Sequence, residues 1–365
     1  MSRFKKILKW SLVSVVGLAV SLFAFGYWFM SLLPKLDDTV DPSKSMTADL
    51  PYLSENIVPH RGKVLAVVTS VDQMGTSGKR TGYELTELSR AYYVFTANGF
   101  EVDIASPKGG EPPVIIDDED MGVYDHAFLN DPIAQNKVDN TLSLSQIDPD
   151  EYEAVYFVGG KGAMYDFPEN SHIQTILRDY IHSDKVVGAV CHGPAALVNV
   201  TMEDGEYLLQ GKSVSSFTNS EELFLIPDAK AIFPFLLEAE LVENGANFIE
   251  GSMYLENVVH DQNLITGQNP WSTWKLAETM ILQMGYQPKA REITGEENAV
   301  KVLGGFERQG YRGAKELITQ MGDNQMKMNR TLIAMHSIVA IMQWEVIKGV
   351  QLVRLLKYAK DVQDA

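Results

Sequence analysis

The 365-residue chain is poor in cysteine: it has one, Cys191. That count excludes an intramolecular disulfide framework and any zinc site built from several thiolates. It says nothing about redox compartment. Positive charge is scarce too, with 31 Lys and Arg against 48 Asp and Glu, a formal net charge of −17. Such a surface repels a polyanion, and the body of the chain has no basic cluster of the size a phosphate backbone needs, so nucleic acid is excluded as a partner. Apolar residues, by contrast, make up 45% of the chain. That is ample for the core of one large or two modest domains.

The most informative stretch is Val186-Val187-Gly188-Ala189-Val190-Cys191-His192-Gly193-Pro194-Ala195-Ala196-Leu197. A β-branched run stops at the cysteine and continues through small, then helix-forming residues. This reads as a strand, a sharp turn and a helix start, a nucleophile elbow with A-x-C-x-G spacing in place of G-x-S-x-G. Two readings of Cys191 compete. A lone cysteine behaves as a small buried hydrophobe, whereas an imidazole beside it in a turn makes it a reactive nucleophile. A helix starting just after Cys191 would aim its free N–H groups at the sulfur, lowering the thiol pKa and supplying oxyanion donors.

Around this stretch, strand and helix patterns alternate. Val64 to Thr69, Val102 to Ala105, Ala154 to Val158 and Asn263 to Thr266 read as strands, and their continuous apolar character suits a sheet buried on both faces. Helices are expected through Glu87 to Phe95, Ile173 to Ile181, Phe233 to Asn244 and Trp271 to Met284. Residues Pro107 to Asp150 form a long acidic connection, expected to be a lid or a substrate-side excursion. The pattern predicts a doubly wound, mostly parallel α/β sheet with ligands at the carboxyl ends of its strands.

The two ends differ from this body. Arg3, Lys5, Lys6 and Lys9 precede an uncharged apolar run from Trp10 to Leu33, which at ~1.5 Å per residue suffices for a hydrocarbon core of ~30 Å. A signal peptide cleaved near Ala24-Phe25-Gly26 is the rival. The run outlasts an ordinary ~7–15-residue h-region, and aromatics gather at its far end, so an uncleaved anchor is expected. The basic residues place the N-terminus in the cytoplasm and the body outside, with Lys35 offset by Asp37 and Asp38. The expected plan is a cytoplasmic stub (1–9), a single-pass membrane anchor (10–33), a linker (34–61), the α/β domain (62–286) and a helical extension (287–365). Within the extension, Met328, Leu332, Met335, Val339, Met342, Val346, Gly349, Val353 and Leu356 mark a four-three seam. The seam serves either a coiled coil joining copies into a homo-oligomer or a helix packed on its own chain.

Several segments in order resemble the ThiJ/PfpI superfamily, the class I glutamine-amidotransferase-like fold, in its branch of heat-shock chaperones and glyoxalases. They are Thr81-Gly82 with Glu87, Gly99 to Gly110, Gly159 to Met164, Ala189 to Ala195, Phe217 to Glu222, and Thr266 to Pro270. The resemblance spans about residues 62 to 286 and implies a flavodoxin-like sandwich needing no cofactor or metal. It makes Cys191 the nucleophile, His192 its partner, and Glu222 the acid orienting the histidine, with Glu221 the alternative. Glu87 is the family's other acid, approaching the sulfur from the first helix. Oxyanion and substrate-binding donors are implied at Gly160 or Lys161 and at His192, with Gly193 the small residue of the elbow. The chain departs from the family at Lys161, where relatives carry His, and at Arg90-Ala91, where they carry His-Pro; both add a cation near the pocket, which either favours an anionic substrate or alters the substrate altogether. A glutamine-amidotransferase triad would need a downstream His-x-Glu, and His260 is followed by Asp261 and Gln262. Three functions follow: a cofactor-free glyoxalase acting on small reactive carbonyl compounds, an amidase or peptidase acting on an acyl carbon, or a membrane-tethered stress chaperone with a vestigial elbow.

Overall fold

The computed structural model describes residues 2–34, 41–117 and 120–364, without the side chains of 2–9 and 11–13. It divides into two compact units, Thr39–Glu292 and a second made from both ends of the chain, Met1–Asp38 with Ile293–Ala365.

The first unit is built on seven strands: β1 (Gly62–Val67), β2 (Phe100–Ser106), β3 (Leu142–Ser143), β4 (Ala154–Phe157), β5 (Val186–Val190), β6 (Val258–Asp261) and β7 (Leu264–Gly267). Their order is β6-β7-β5-β4-β1-β2-β3, and every pairing is parallel except β6 with β7. The apolar runs occupy the central strands because both faces are covered. Val64, Ala66, Tyr156 and Ile265 pack with helices Leu85–Ala97 and Thr273–Gln283 on one face. Leu65, Val67, Phe157 and Leu264 pack with helix Ser171–His182 on the other. Gly188 in β5 gives the room: a Cβ there would strike the Met280 sulfur. The chain winds from β1 outward to β3, then crosses to β4 and on to β5 and β7. The sheet therefore has its switch point between β1 and β4, where carboxyl ends open a crevice.

Three expectations for this unit change. Residues 107–150 are not an irregular lid; they hold helices Val123–Asn130 and Pro132–Asp139, with Ala127, Phe128 and Ala134 buried. Asp131 caps the second by accepting from the amides of Ile133 and Ala134, with Pro132 in its first turn, a start signal hidden in acidic composition. The segment from Asp41 is no free tether, since Leu50 and Tyr52 are buried in the unit's core. The helix expected just after Cys191 is a five-residue 3₁₀ segment, Gly193–Leu197.

In the second unit, the helix Ser2–Met30 runs into a turn whose Ser31 carbonyl accepts from Lys360 Nζ at 2.7 Å, with Leu32 buried. The end of the expected membrane anchor is thus docked on the C-terminal helix Val346–Gln363. Among the described residues no helix is long and apolar enough to cross a membrane. The expected extracytoplasmic single-pass localisation is corrected by this finding, and the expected membrane anchor and membrane partner find no support among the described residues. The charges invoked for orientation lie outside the described residues: Lys35, Asp37 and Asp38 entirely, Arg3, Lys5, Lys6 and Lys9 in their side chains.

The extension contains helices Gly295–Asp323, Arg330–Met342 and Val346–Gln363. The four-three seam is not one continuous helix. It breaks at Gln343–Glu345, with Trp344 at φ 65°, and the last two helices fold back on each other. A Cβ on Gly349 would meet Ile341 Cγ1 at 2.6 Å and the Ser337 carbonyl at 3.1 Å, so the glycine permits their close approach. Leu332 and Leu356 are buried, while Met342 and Val346 at the bend are exposed.

Candidate active site

The end of β5 sets the site. Cys191 has φ 58°, left-handed backbone that costs a non-glycine residue about 1–3 kcal/mol. Its own bonds hold it there: the Cys191 amide donates to the Gly267 carbonyl and the Phe217 amide to the Cys191 carbonyl, both at 2.9 Å. Gly193 lies so close to the Phe157 carbonyl that any side chain would collide.

On one flank stands His192, buried, its ring 4.8 Å from that of Phe217. Nδ1 lies 3.3 Å from the Cys191 sulfur and Nε2 2.6 Å from Glu222 Oε2. Burial pushes the Glu222 carboxyl up, but the charge and hydrogen bond of His192 outweigh this and hold it below the ordinary value. An ionised Glu222 accepts from Nε2–H, which leaves Nδ1 to accept from the thiol. Glu221 does different work. Its Oε2 accepts from the Thr218 amide and hydroxyl, and its Oε1 from the Tyr254 amide and the side-chain amides of Gln268 and Asn269. It caps the helix Asn219–Leu225 and pins the neighbouring loop.

On the other flank is Glu87, in the first turn of helix Leu85–Ala97 and wholly buried. A Cβ on Gly159 would touch both Glu87 Oε2 and Cys191 Cβ, so the three residues are in close apposition. Tyr156 steadies the helix, its hydroxyl donating to the Glu87 carbonyl at 2.9 Å. Neither Glu87 carboxyl oxygen closes a hydrogen bond of ordinary geometry. Burial, then the charge of Glu84, push Glu87 well above the carboxylate range; the nearby Cys191 thiol and Gly159 amide oppose this only in part. Burial, then Glu87, likewise push the Cys191 thiol up. The expected depression of the thiol does not occur. The helix after it is a single short 3₁₀ segment with little dipole to offer, and desolvation beside a carboxyl dominates.

Lys161 follows Gly159 and Gly160. Gly160 has φ 96° and no space for a Cβ against the Gly82 carbonyl, and the Glu84 amide donates to the Gly159 carbonyl at 3.2 Å. The amides of Gly160, Lys161 and His192 donate to no group among the described residues. Arg90 is not a pocket cation: it is buried, paired with Asp125 at 3.2 Å, bonded to the Asp120 carbonyl at 2.6 Å and set over the Trp271 ring. Glu84, which sequence reasoning passed over, has a buried Oε1 without a partner. Burial pushes its pKa up to about 8, against the pull of Lys161. Its signal was weak: Glu84 is a charged residue between Tyr83 and Leu85, and it lies in extended backbone just before the helix that carries Glu87. Among the described residues no cluster of His, Cys, Asp and Glu is placed to hold a metal ion.

A family model described as DJ-1/PfpI matches residues 79–283. Glyoxalase 3 of Candida albicans is 31% identical over 231 residues, covering 60% of this chain and 97% of that protein. The glutathione-independent glyoxalase HSP31 of Saccharomyces cerevisiae is 29% identical over 228 residues, covering 60% and 96%. Among solved structures, Rapid Encystment Protein 24 KDa of Francisella tularensis superposes with a TM-score of 0.58 at 37% identity, covering 61% of this chain and 99% of that one. Glyoxalase III from Candida albicans superposes at 0.56 and 27%, covering 62% and 98%. With more than half its length matched by the model, and with the elbow, the parallel sheet and the buried glutamate beside the thiol in place, the chain belongs to the DJ-1/PfpI family.

Proposed function

We propose that the protein is a cofactor-free, Cys191-dependent enzyme converting small α-oxoaldehydes to α-hydroxy acids. The observation that carries the reading is the wholly buried Glu87 carboxyl, without a closed hydrogen bond, against the Cys191 thiol. Relatives named as glyoxalases, matched over nearly their whole length, support an enzyme of this kind.

The thiol proton passes to His192 Nδ1 as sulfur bonds to the aldehyde carbon, and Glu87, protonated at rest, gives its proton to the aldehyde oxygen. A hemithioacetal results. Glu87, now ionised, takes the proton from that carbon; the electron pair forms a carbon–carbon double bond and the ketone oxygen takes the proton from His192. Glu87 returns its proton to the second carbon while His192 accepts the hydroxyl proton of the first, leaving a thioester. Water cleaves the thioester, releasing the α-hydroxy acid and restoring the thiol. One carbon is oxidised and its neighbour reduced, so no outside electron carrier enters. A carboxyl raised by burial suits this shuttle because its affinity for the proton approaches that of the carbon acid's environment. The free amides of Gly160, Lys161 and His192 are the donors we assign to the developing oxyanions.

The test is conversion of methylglyoxal to lactate by the purified protein, without glutathione. Turnover that disappears in Cys191→Ala and Glu87→Gln, with both variants folded, is the expected result; absence of turnover in the unaltered protein sinks the reading.

A further inference from the structure

Arg90 stands one turn after Glu87 in helix Leu85–Ala97, on the same face. Its buried guanidinium donates from Nη2 to Asp125 Oδ2 at 3.2 Å and to the Asp120 carbonyl at 2.6 Å. The residue before it, Ser89, donates its hydroxyl to Asp125 Oδ1. Asp125 is fixed in turn: it lies in the first turn of helix Val123–Asn130, and its Oδ2 also accepts from the Gly122 amide at 2.8 Å. One buried carboxylate therefore ties the start of that helix to the first turns of the helix that carries Glu87.

This wiring matters because of what the Glu87 carboxyl lacks. Neither of its oxygens closes a hydrogen bond, so the place of the carboxyl is set by its backbone. No side chain caps the start of that helix. Its first turns are held instead by the Tyr156 hydroxyl on the Glu87 carbonyl and by the bonds of Ser89 and Arg90 to Asp125. The Arg90 guanidinium also lies over the Trp271 ring, 5.2 Å from its centroid. The Trp271 amide donates to Asn269 Oδ1 at 3.2 Å, and the Asn269 side chain donates to Glu221 at 3.1 Å. Arg90 thus braces the Glu87 helix on one side against Asp125 and on the other against a turn anchored to the neighbour of Glu222. A buried ion pair adds little net stability over an apolar replacement of the same size, whereas its directional bonds select one arrangement.

We propose that Arg90 and Asp125 are positioning residues that set the Glu87 carboxyl against Cys191, acting through the helix start that carries it. The proton that Glu87 moves rests on the glyoxalase reading; the placement of its carboxyl does not.

The test is a double-mutant cycle with Glu87→Gln, read in two ways. The first reporter is Cys191, the one cysteine of the chain, through its rate of alkylation by iodoacetamide at fixed pH. Arg90→Gln and Asp125→Asn should each shift that rate at least about threefold, in the direction that Glu87→Gln shifts it, and less than about twofold when added to Glu87→Gln. Arg90→Lys, which keeps the charge, should restore most of the original rate. If removing one side of the buried pair unfolds Arg90→Gln, Asp125→Asn carries the cycle, since it has the same shape and keeps an acceptor for Ser89. The second reporter is methylglyoxal turnover, in which Arg90→Gln or Asp125→Asn should lower kcat about 10–100-fold and leave KM within about threefold. Equal alkylation shifts with and without Glu87, or no shift at all, overturn the positioning role whatever the turnover. A shift that depends on Glu87, in a protein that does not turn over methylglyoxal, keeps the positioning role and discards the glyoxalase reading.

Discussion

The two flanks of Cys191 use the same kinds of side chain and treat them oppositely. On the His192 flank the groups are wired in sequence: sulfur to Nδ1, Nε2 to Glu222. On the Glu87 flank, Glu87 and Glu84 stand against Gly159 and Gly160 and keep buried carboxyl oxygens without a partner. A hydrogen-bonded chain fixes orientation even with one oxygen, Glu222 Oε1, left without a partner, whereas a carboxyl with both oxygens unpartnered, as in Glu87, retains bonding capacity for something that arrives. The difference assigns positioning to the first flank and substrate contact to the second.

The largest effect should come from the open flank. Glu87→Gln should lower methylglyoxal turnover about 10²–10⁴-fold, the range for a positioned acid–base group. Glu222→Gln should cost less, since His192 stays in place by packing on Phe217. Equal losses from the two, measured at saturating substrate, would erase the distinction between flanks.

A smaller effect separates the adjacent glutamates. Glu221→Gln removes a charged acceptor serving five donors and should cost about 1–3 kcal/mol of stability in urea unfolding. Its kcat should fall far less than that of Glu222→Gln. The reverse ranking would mean that Glu221 orients the histidine.

Two pH profiles sharpen the comparison further. With the thiol pushed up by burial and Glu87, alkylation of Cys191 by iodoacetamide should still be accelerating at pH ~8.5, the ordinary thiol value, and a plateau well below it would contradict this. The smallest effect concerns Glu84, whose pKa is about 8 in the folded chain against an ordinary 4.5. Between these values the unfolded chain releases a proton that the folded chain keeps, so the native state loses stability as pH rises through that window. Glu84→Gln should therefore raise Tm more at pH 8 than at pH 5. A pH-independent shift would show that the carboxyl is not held protonated.

Much of this was legible in the sequence for a physical reason: the central strands are buried on both faces and show as unbroken apolar runs, and the elbow needs small residues at fixed spacing. That His192 and Glu87 stand beside Cys191 was legible too. The choice between Glu221 and Glu222 was not, because both lie in one helical turn and only the distant Tyr254, Gln268 and Asn269 tell them apart. Nor was the capture of Arg90, whose partner Asp125 lies in an acidic stretch read as loop. The helical seam misled because Trp344 turns the chain without a proline or glycine to announce it. The apolar N-terminal run was read from hydropathy alone, which carries no sign that its end, at Ser31, bonds Lys360.

The contact between Ser31 and Lys360 joins residues 329 positions apart, which makes the α/β unit an insertion between the two halves of the helical one. On the ribosome the N-terminal helix therefore emerges first and its partners last. At ~5–20 residues per second the wait is on the order of tens of seconds. During it the strands of the inserted unit can pair and pack, while Val15, Leu18, Leu22 and Phe23 remain as uncovered as they are exposed in the finished helix. Assembly order is thus written into the connectivity: the inserted unit can mature while synthesis continues, and the helical unit can close only after helix Val346–Gln363 has been made.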